Sequence, residues 1–237
     1  MNNPSQIKSR ETMSNAITQI THYHDWVFNS FKDFIKNGIA LEIGSGHGIY
    51  SKKIAKLVHK LIVSDIDVRA IEIIKEHLKS INNIDYVVMD GVDNSKLPFQ
   101  VDTIIAINII EHIRNDDTFI KCCYDILNLN GRLIIFAPAF QILFSNYDRQ
   151  AGHYRRYTKS QFRILLQNHF TIEKMHYFNK IGFWGWLVNK YSKSHINSKS
   201  THSQIKLYDK LIPFLKYFDY LIPFIGQSVI VMATKKT

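Results

Sequence analysis

Leu41-Glu42-Ile43-Gly44-Ser45-Gly46-His47-Gly48 is the stretch that decides the fold. Apolar residues from Ile39 to Ile43 predict a short buried strand, and Gly44, Gly46 and Gly48 then allow backbone conformations closed to residues with a Cβ. Behind them Tyr50, Ile54, Leu57 and Val58 recur at helical spacing, with Lys52, Lys53 and Lys56 on the other face. Strand, glycine turn and helix in that order offer bare backbone to a nucleotide-like ligand near a helix N-terminus. A glycine turn alone can equally be only a turn, and two further features separate the cases.

A nicotinamide-dinucleotide fingerprint starting at Gly44 wants its third glycine at position 49, but Ile49 stands there, Gly48 comes one place earlier, and Glu42 puts an acid before the turn. Lys60 to Asp65 reads as a second apolar strand ending in a carboxylate 21 residues after Gly44, where an acid can accept hydrogen bonds from both ribose hydroxyls. The pair resembles the cofactor site of class I S-adenosylmethionine-dependent methyltransferases. That resemblance covers most of residues 39 to 180 and the final strand. It implies a loop of Glu42, Gly44, Ser45, Gly46 and Gly48 under the methionine part of S-adenosylmethionine, with Asp65 and Ile66 at the ribose and S-adenosylhomocysteine as product. Asp67 reads instead as a helix N-cap, because Ala70, Ile71, Ile74 and Leu78 follow at helical spacing.

The chain in order repeats strand and helix. Ile84 to Met89 is a third strand, closed by Asp90-Gly91, and the resemblance places both residues near the adenine; an Asx-type turn is the structural alternative for Asp90. Val101 to Ile107 is a fourth strand, followed by Asn108-Ile109-Ile110-Glu111-His112. By resemblance Asn108 lines the cofactor, and His112 is a candidate base, since imidazole titrates close to working pH; Glu111-His112 could also simply hold the loop. Asp116 to Leu127 reads as a helix stopped at Asn130-Gly131, and Arg132 to Ala137 as a fifth strand. Phe170 to Phe178 is a sixth, with Asn168-His169 where the family has a glycine, and Ser228 to Ala233 the last, inserted antiparallel beside strand five by resemblance. The expected fold is α/β: a Rossmann-like doubly wound sheet of seven strands, mostly parallel with the last antiparallel, helices on both faces, and ligands at the carboxyl ends of the strands.

A second informative run, Asp148 to Thr158, follows strand five and offers three arginines, two tyrosines and a histidine ahead of a Thr158/Gln161 capping box. Read as a loop, it makes Tyr147, His153, Tyr154, Arg155 and Arg156 candidates for an anionic or polyol substrate, with His153 a second candidate base and one arginine expected to brace the loop. The run resembles one in methyltransferases of envelope-polysaccharide or lipid-linked glycan synthesis, which implies a small-molecule, glycan or lipid-linked acceptor.

Length fits one domain: a helical preamble or lid (1–36), a core (37–180), a helical insertion (181–227) and the last strand (228–237). In the preamble Ile17, Ile20, Trp26, Val27, Phe28, Phe31 and Phe34 suggest a half-buried helix, and His22, Tyr23 and His24 could face substrate without forming a metal site. In the insertion, 191–204 reads as a polar surface loop and Leu207, Leu211, Leu215, Phe218 and Ile222 as helical. Its apolar surface could cover the pocket, make a homodimer or rest on lipid. Leu211 to Ile225 is broken by Pro213, Lys216, Asp219 and Pro223, so no spanning helix is expected, and the polar start lacks a signal-peptide core. The expected location is the cytoplasm, with peripheral contact at the inner membrane face open to it. Cys122 and Cys123, adjacent on a helix, read as reduced packing residues, and no metal is expected. Thirty basic against 20 acidic residues suit a polyanion or anionic lipid as well as a merely basic surface. An RNA methyltransferase would use that charge, yet no RNA-binding module or Asn/Asp-Pro-Pro-aromatic motif is present, which disfavours nucleic acid. A non-catalytic membrane-surface protein would leave the cofactor constellation without a purpose.

Overall fold

A computed structural model describes residues 20–93, 95, 97, 99–190, 199–220 and 223–236. The polar leading segment, Ile17, Pro98, the 191–198 part of the expected loop, and Ile222 lie outside them. In chain order come α1 (Thr21–Phe31), β1 (Ile39–Ile43), α2 (Ser51–Ile54), β2 (Lys60–Asp65), α3 (Val68–His77), β3 (Ile84–Val88) and β4 (Val101–Ile107). Then follow α4 (Asp116–Ile126), β5 (Leu127–Pro138), α5 (Asn146–Ala151), α6 (Lys159–Leu166), β6 (Phe170–Phe178), α7 (Lys180–Lys190), α8 (Lys199–Leu215) and β7 (Ser228–Lys235).

All seven strands join one sheet in the order β3-β2-β1-β4-β5-β7-β6. Pairings from β3 through β5 are parallel, while β7 runs antiparallel to both β5 and β6. This is the expected doubly wound, Rossmann-like architecture. Alternation along the strands explains the two layers of helices. Leu41, Ile43, Ile104, Ala106, Leu133 and Ile135 face one core with Phe119, Ile120 and Cys123 of α4 and Phe162 and Leu166 of α6. Ala40, Leu61, Val63, Ile105, Ile134 and Phe136 face the other, with Val27 and Phe31 of α1, Ile54 of α2, and Ile71 and Ile74 of α3. Both cysteines are free and buried in the first core.

Four local expectations are corrected. The helix behind the glycine turn is a single turn, because bonding passes from Ala55 N–H to Ser51 O into a tighter Leu57 N–H to Ile54 O contact that leads into β2. The fifth strand begins at Leu127 rather than Arg132, with Asn130 at φ +57° and a register shift between Val101 and Thr103 absorbing Asn130-Gly131 as an irregularity inside the strand. Residues 146–151 are helical, stopped by Gly152 at φ +83°. Residues 199–204 belong to α8, which contains Pro213, ends at Leu215 and continues as a 3₁₀ turn (Lys216–Tyr220).

Candidate functional site

Sheet order alone brings the carboxyl ends of β3, β2, β1 and β4 side by side, and all ten cofactor candidates lie at those ends. Gly44, Gly46 and Gly48 have φ of +67°, +55° and +71°, so all three use the left-handed region. A Cβ at Gly44 would stand 1.9 Å from Cδ1 of Ile109, whereas one at Gly46 would meet nothing within 4 Å. The turn is therefore packed below and open above. It is fixed to β2 by the Ser45 N–H and hydroxyl, which donate to Ser64 O at 2.9 and 3.2 Å. Asp65 accepts the Gly46 N–H (2.9 Å) on one oxygen and the Asp67 N–H (2.9 Å) on the other, and each oxygen keeps lone-pair capacity beyond those bonds. Asp67 caps α3 through the Arg69 N–H, as expected.

Glu42 sits beneath the turn, buried, with its carboxylate accepting the Ser51 hydroxyl at 2.5 Å. Burial pushes it up to about 7, against the Ser51 bond and with a further contribution from the Asp65 charge. Asp90 is exposed and takes the Val92 N–H at 3.3 Å in an Asx-type turn, and Gly91 lies against Ile43 and Phe119. Asn108 is exposed at φ +55°, its N–H held by Phe136 O at 2.8 Å, and Ile66 is exposed beside Asp65. These residues fit a nucleoside bearing a flexible tail: bare amides, an open glycine, and an acid with spare acceptor capacity at one edge.

The second run docks on the end of β4. Tyr154 N–H donates to Glu111 O (2.8 Å), the Tyr157 hydroxyl lies within reach of Ile110 O (3.2 Å) and Asp116 (3.0 Å), and Arg155 reaches Asp116 (2.6 Å) and Arg114 O (2.7 Å). Within it Asp148 gathers the Ser145 N–H (2.8 Å), Nε and Nη2 of Arg156 (2.8 and 3.0 Å) and Nδ1 of His153 (2.8 Å). Burial would raise this carboxyl, but His153, Arg156 and Ser145 outweigh it and hold it near 2. Because an ionised carboxylate only accepts, the His153 Nδ1 facing it carries a proton, which leaves Nε2 as the ring atom free to face another group. That Nε2 stands 4.0 Å from Oε1 of Glu111, and the His112 ring meets the His153 ring edge-on at 4.7 Å. Glu111 is 0% exposed, neither carboxyl oxygen has a hydrogen-bond partner among the described residues, and burial pushes it up to about 8, only partly offset by its own backbone N–H and the Arg156 charge. One ligand atom each from Glu111, His112 and His153 fall within 4.8 Å of one another, a spacing that suits a shared proton or a single cation.

The sequence-derived candidates thus come together as two adjoining groups, with corrections. Arg156, expected to face substrate, is 2% exposed and spent on Asp148; Arg155 is also spent, on Asp116. Both arginines brace the run, where one was expected to. Tyr154 is half-exposed and Tyr147 lies 5.8 Å from the ring of Trp186. Of the preamble residues, His22 pairs with Asp209 and His24 bonds Tyr50, just past the glycine turn. Two residues escaped sequence reading: Asp148, although Ser145 three residues earlier completes a capping box with it, and Trp186, whose buried indole N–H has no partner among the described residues and whose ring lies 5.2 Å from the Arg156 guanidinium.

Residues 41–133 match the family model of a methyltransferase domain. A ubiquinone biosynthesis O-methyltransferase of Schizosaccharomyces pombe is 30% identical over 99 residues, which are 40% of this chain and 36% of that protein. One from Pelagibacter ubique is 32% identical over 116 residues, 45% of this chain and 48% of that protein. The chain thus matches less than half the length of either relative. Among solved structures, the N-methyltransferase NodS of Bradyrhizobium japonicum with S-adenosyl-L-homocysteine superposes with a TM-score of 0.59 at 14% identity, covering 91% of this chain and 86% of that one. At that identity the likeness is one of fold.

Proposed function

We propose that this chain, built on a methyltransferase domain, is an S-adenosylmethionine-dependent methyltransferase that acts in line on a hydroxyl of a small-molecule acceptor. The observation that carries it is the docking of the 146–158 run on the end of β4, the strand beside β1, which holds a part-buried Asp148–His153 pair at the same sheet edge as Gly44–Gly48 and Asp65. S-adenosylmethionine, when bound, supplies an electrophilic methyl group on its sulfonium. Asp65 would accept the ribose hydroxyls, the loop amides of 44–48 would line the methionine part, Asp90 and Gly91 would flank the adenine, and Asn108 would line the cofactor at the end of β4. Nε2 of His153 takes the acceptor proton, while Asp148 fixes the tautomer and stabilises the imidazolium that results; Arg156 keeps Asp148 ionised. His112 lies against His153 and completes the wall, and the half-exposed Tyr154 and the Tyr147–Trp186 pair offer aromatic faces to the acceptor. The relatives named as O-methyltransferases support oxygen as the acceptor atom. A glycan or lipid-linked hydroxyl fits the same chemistry.

Calorimetric titration with S-adenosylmethionine and S-adenosylhomocysteine tests the first half: both bind and NADH does not. A panel of phenolic and sugar hydroxyl acceptors, read by S-adenosylhomocysteine release, tests the second. His153→Gln is expected to lower kcat by about 10²-fold or more with cofactor affinity unchanged. Absence of cofactor binding would overturn the proposal, and unchanged kcat in the variant would remove the base.

A further inference from the structure

Helix α8 and the turn after it carry apolar residues on two faces. One is ordinary: Ile212 and Asp209 are buried against the body of the protein. The other points outward, where Leu207, Leu211, Phe214 and Phe218 fall on one line at helical spacing and are 60%, 44%, 71% and 50% exposed, with Tyr217 beside them. Lys206 and Lys210, both exposed, flank that line. Trp184 and Val188 of the neighbouring α7 and Phe224 before β7 add exposed apolar surface to the same insertion.

What distinguishes this face is the fate of its acids. Residues 199–220 contain two, and both are turned inward. Asp209 accepts the N–H groups of Tyr23 (2.8 Å) and His22 (3.3 Å) at the start of α1. Asp219 accepts those of Asn179 (2.6 Å) and Lys180 (2.8 Å) at the start of α7. With the carboxylates spent on helix N-termini, the exposed residues described between 206 and 218 are Lys206, Leu207, Lys210, Leu211, Phe214, Tyr217 and Phe218, all aromatic, aliphatic or cationic. That is the pattern of a helix lying in a membrane interface, with apolar side chains at acyl depth and lysines at the headgroups.

From this geometry we infer that the outward face of α8 and its following turn docks on an anionic membrane surface. The charge argues for this occupant over a second copy of the chain: a two-fold contact would gather both copies' Lys206 and Lys210 at one seam while Asp209 and Asp219 are spent elsewhere, whereas anionic headgroups neutralise the lysines, and the chain's formal charge of +10 adds long-range attraction. Among the described residues no helix is long and apolar enough to cross a membrane, so contact would be at the surface. The inference does not depend on the proposed reaction.

Co-sedimentation of the whole chain with phosphatidylcholine vesicles, with and without phosphatidylglycerol, provides the test. Binding is expected with phosphatidylglycerol and to weaken in high salt. Phe214→Glu should weaken it about tenfold or more, and Lys206→Ala with Lys210→Ala by roughly twentyfold on anionic vesicles only. These side chains are exposed, so the circular dichroism spectrum and urea midpoint should stay at wild type and mark a folded variant. Lack of binding to anionic vesicles, or binding untouched by Phe214→Glu in a folded variant, overturns the inference. A dimer in sedimentation that Phe214→Glu dissociates, without vesicle binding, would assign the face to a second copy and overturn it as well.

Discussion

Glu111→Gln should make the protein more stable relative to wild type as the pH rises. The wild-type carboxyl is fully buried, has no hydrogen-bond partner on either oxygen among the described residues, and is raised from an ordinary 4.5 to about 8. At about 1.4 kcal/mol for each tenfold change in proton affinity, ionising it inside the fold costs roughly 5 kcal/mol more than ionising it in the unfolded chain. That is a ceiling, because local rearrangement or entering water lowers it, and about 2–5 kcal/mol is the expected range. The sign follows from proton counts. Between about 4.5 and about 8 the native state holds a proton that the unfolded state has lost, so native stability falls with rising pH across that window and levels off above it. Glutamine keeps the shape without the charge. Any fixed cost of burying its amide is the same at every pH, so the informative quantity is the slope of the difference between the two proteins. Urea titrations from about pH 5 to about pH 9, followed by tryptophan fluorescence, give that difference directly. A difference that does not change with pH would refute the reasoning: it would mean Glu111 is ionised throughout in the native protein, beside a buried imidazolium or a cation that compensates it.

Asp65→Ala is expected to weaken S-adenosylmethionine binding by about 10- to 100-fold in calorimetry through lost ribose hydrogen bonds, and to lower the unfolding midpoint modestly because the Gly46 and Asp67 N–H groups lose their acceptor. Gly44→Ala should abolish cofactor binding and lower stability, because it adds a left-handed penalty of about 1–2 kcal/mol to a 1.9 Å clash with Ile109; Gly44→Ala with Ile109→Ala should recover part of the stability, and a double variant no better than the single would place the strain elsewhere. Arg156→Met leaves a buried Asp148 charge with one partner fewer, so a loss of about 3–5 kcal/mol in urea unfolding near neutral pH is expected; it should shrink as the pH falls below the usual carboxylate range and Asp148 protonates in the unfolded state first.

Sequence reading reached the sheet because parallel strands covered on both faces are continuous apolar runs, and Leu41, Ile62, Ile104 and Ile134 announce themselves without knowledge of their neighbours. The cofactor edge was legible for a similar reason: glycine at positive φ is a local demand, visible as composition. Long-range pairing was not. Nothing local says that Asp116, first residue of a helix, takes Arg155 and the hydroxyl of Tyr157, about 40 positions later, or that Arg156 folds back on Asp148. A run rich in arginine and tyrosine looks the same whether its guanidinium groups face a ligand or brace a loop, and here the carboxylates that decide lie on other turns. The short α2 was hidden because its end is set by a local switch in bonding and by the Asn83 amide on Ala55 O and Val58 O, and the early start of β5 because it depends on pairing with Val101, none of which shows as apolar spacing.

The two buried acids around His153 are treated oppositely, and the contrast bears on what the imidazole can do. Asp148, surrounded by donors, is held ionised near 2; Glu111, fully buried and with no side-chain hydrogen-bond partner among the described residues, is pushed to about 8. His153 stands between them, Nδ1 on the charged one and Nε2 toward the neutral one. Reversing the assignments would defeat the proposed mechanism: a neutral Asp148 would not fix the proton on Nδ1, and an ionised Glu111 would favour a proton on Nε2, the atom that the proposal assigns to the acceptor's proton. The two acids meet at His153 because the Tyr154 N–H to Glu111 O bond ties the run to the end of β4, while Arg156 pairs with Asp148 within the run itself. Loosening that dock, as Tyr157→Phe would by removing the hydroxyl shared between Ile110 and Asp116, should therefore lower kcat while leaving cofactor affinity intact; equal kcat in that variant would show that His153 is held by Asp148 alone.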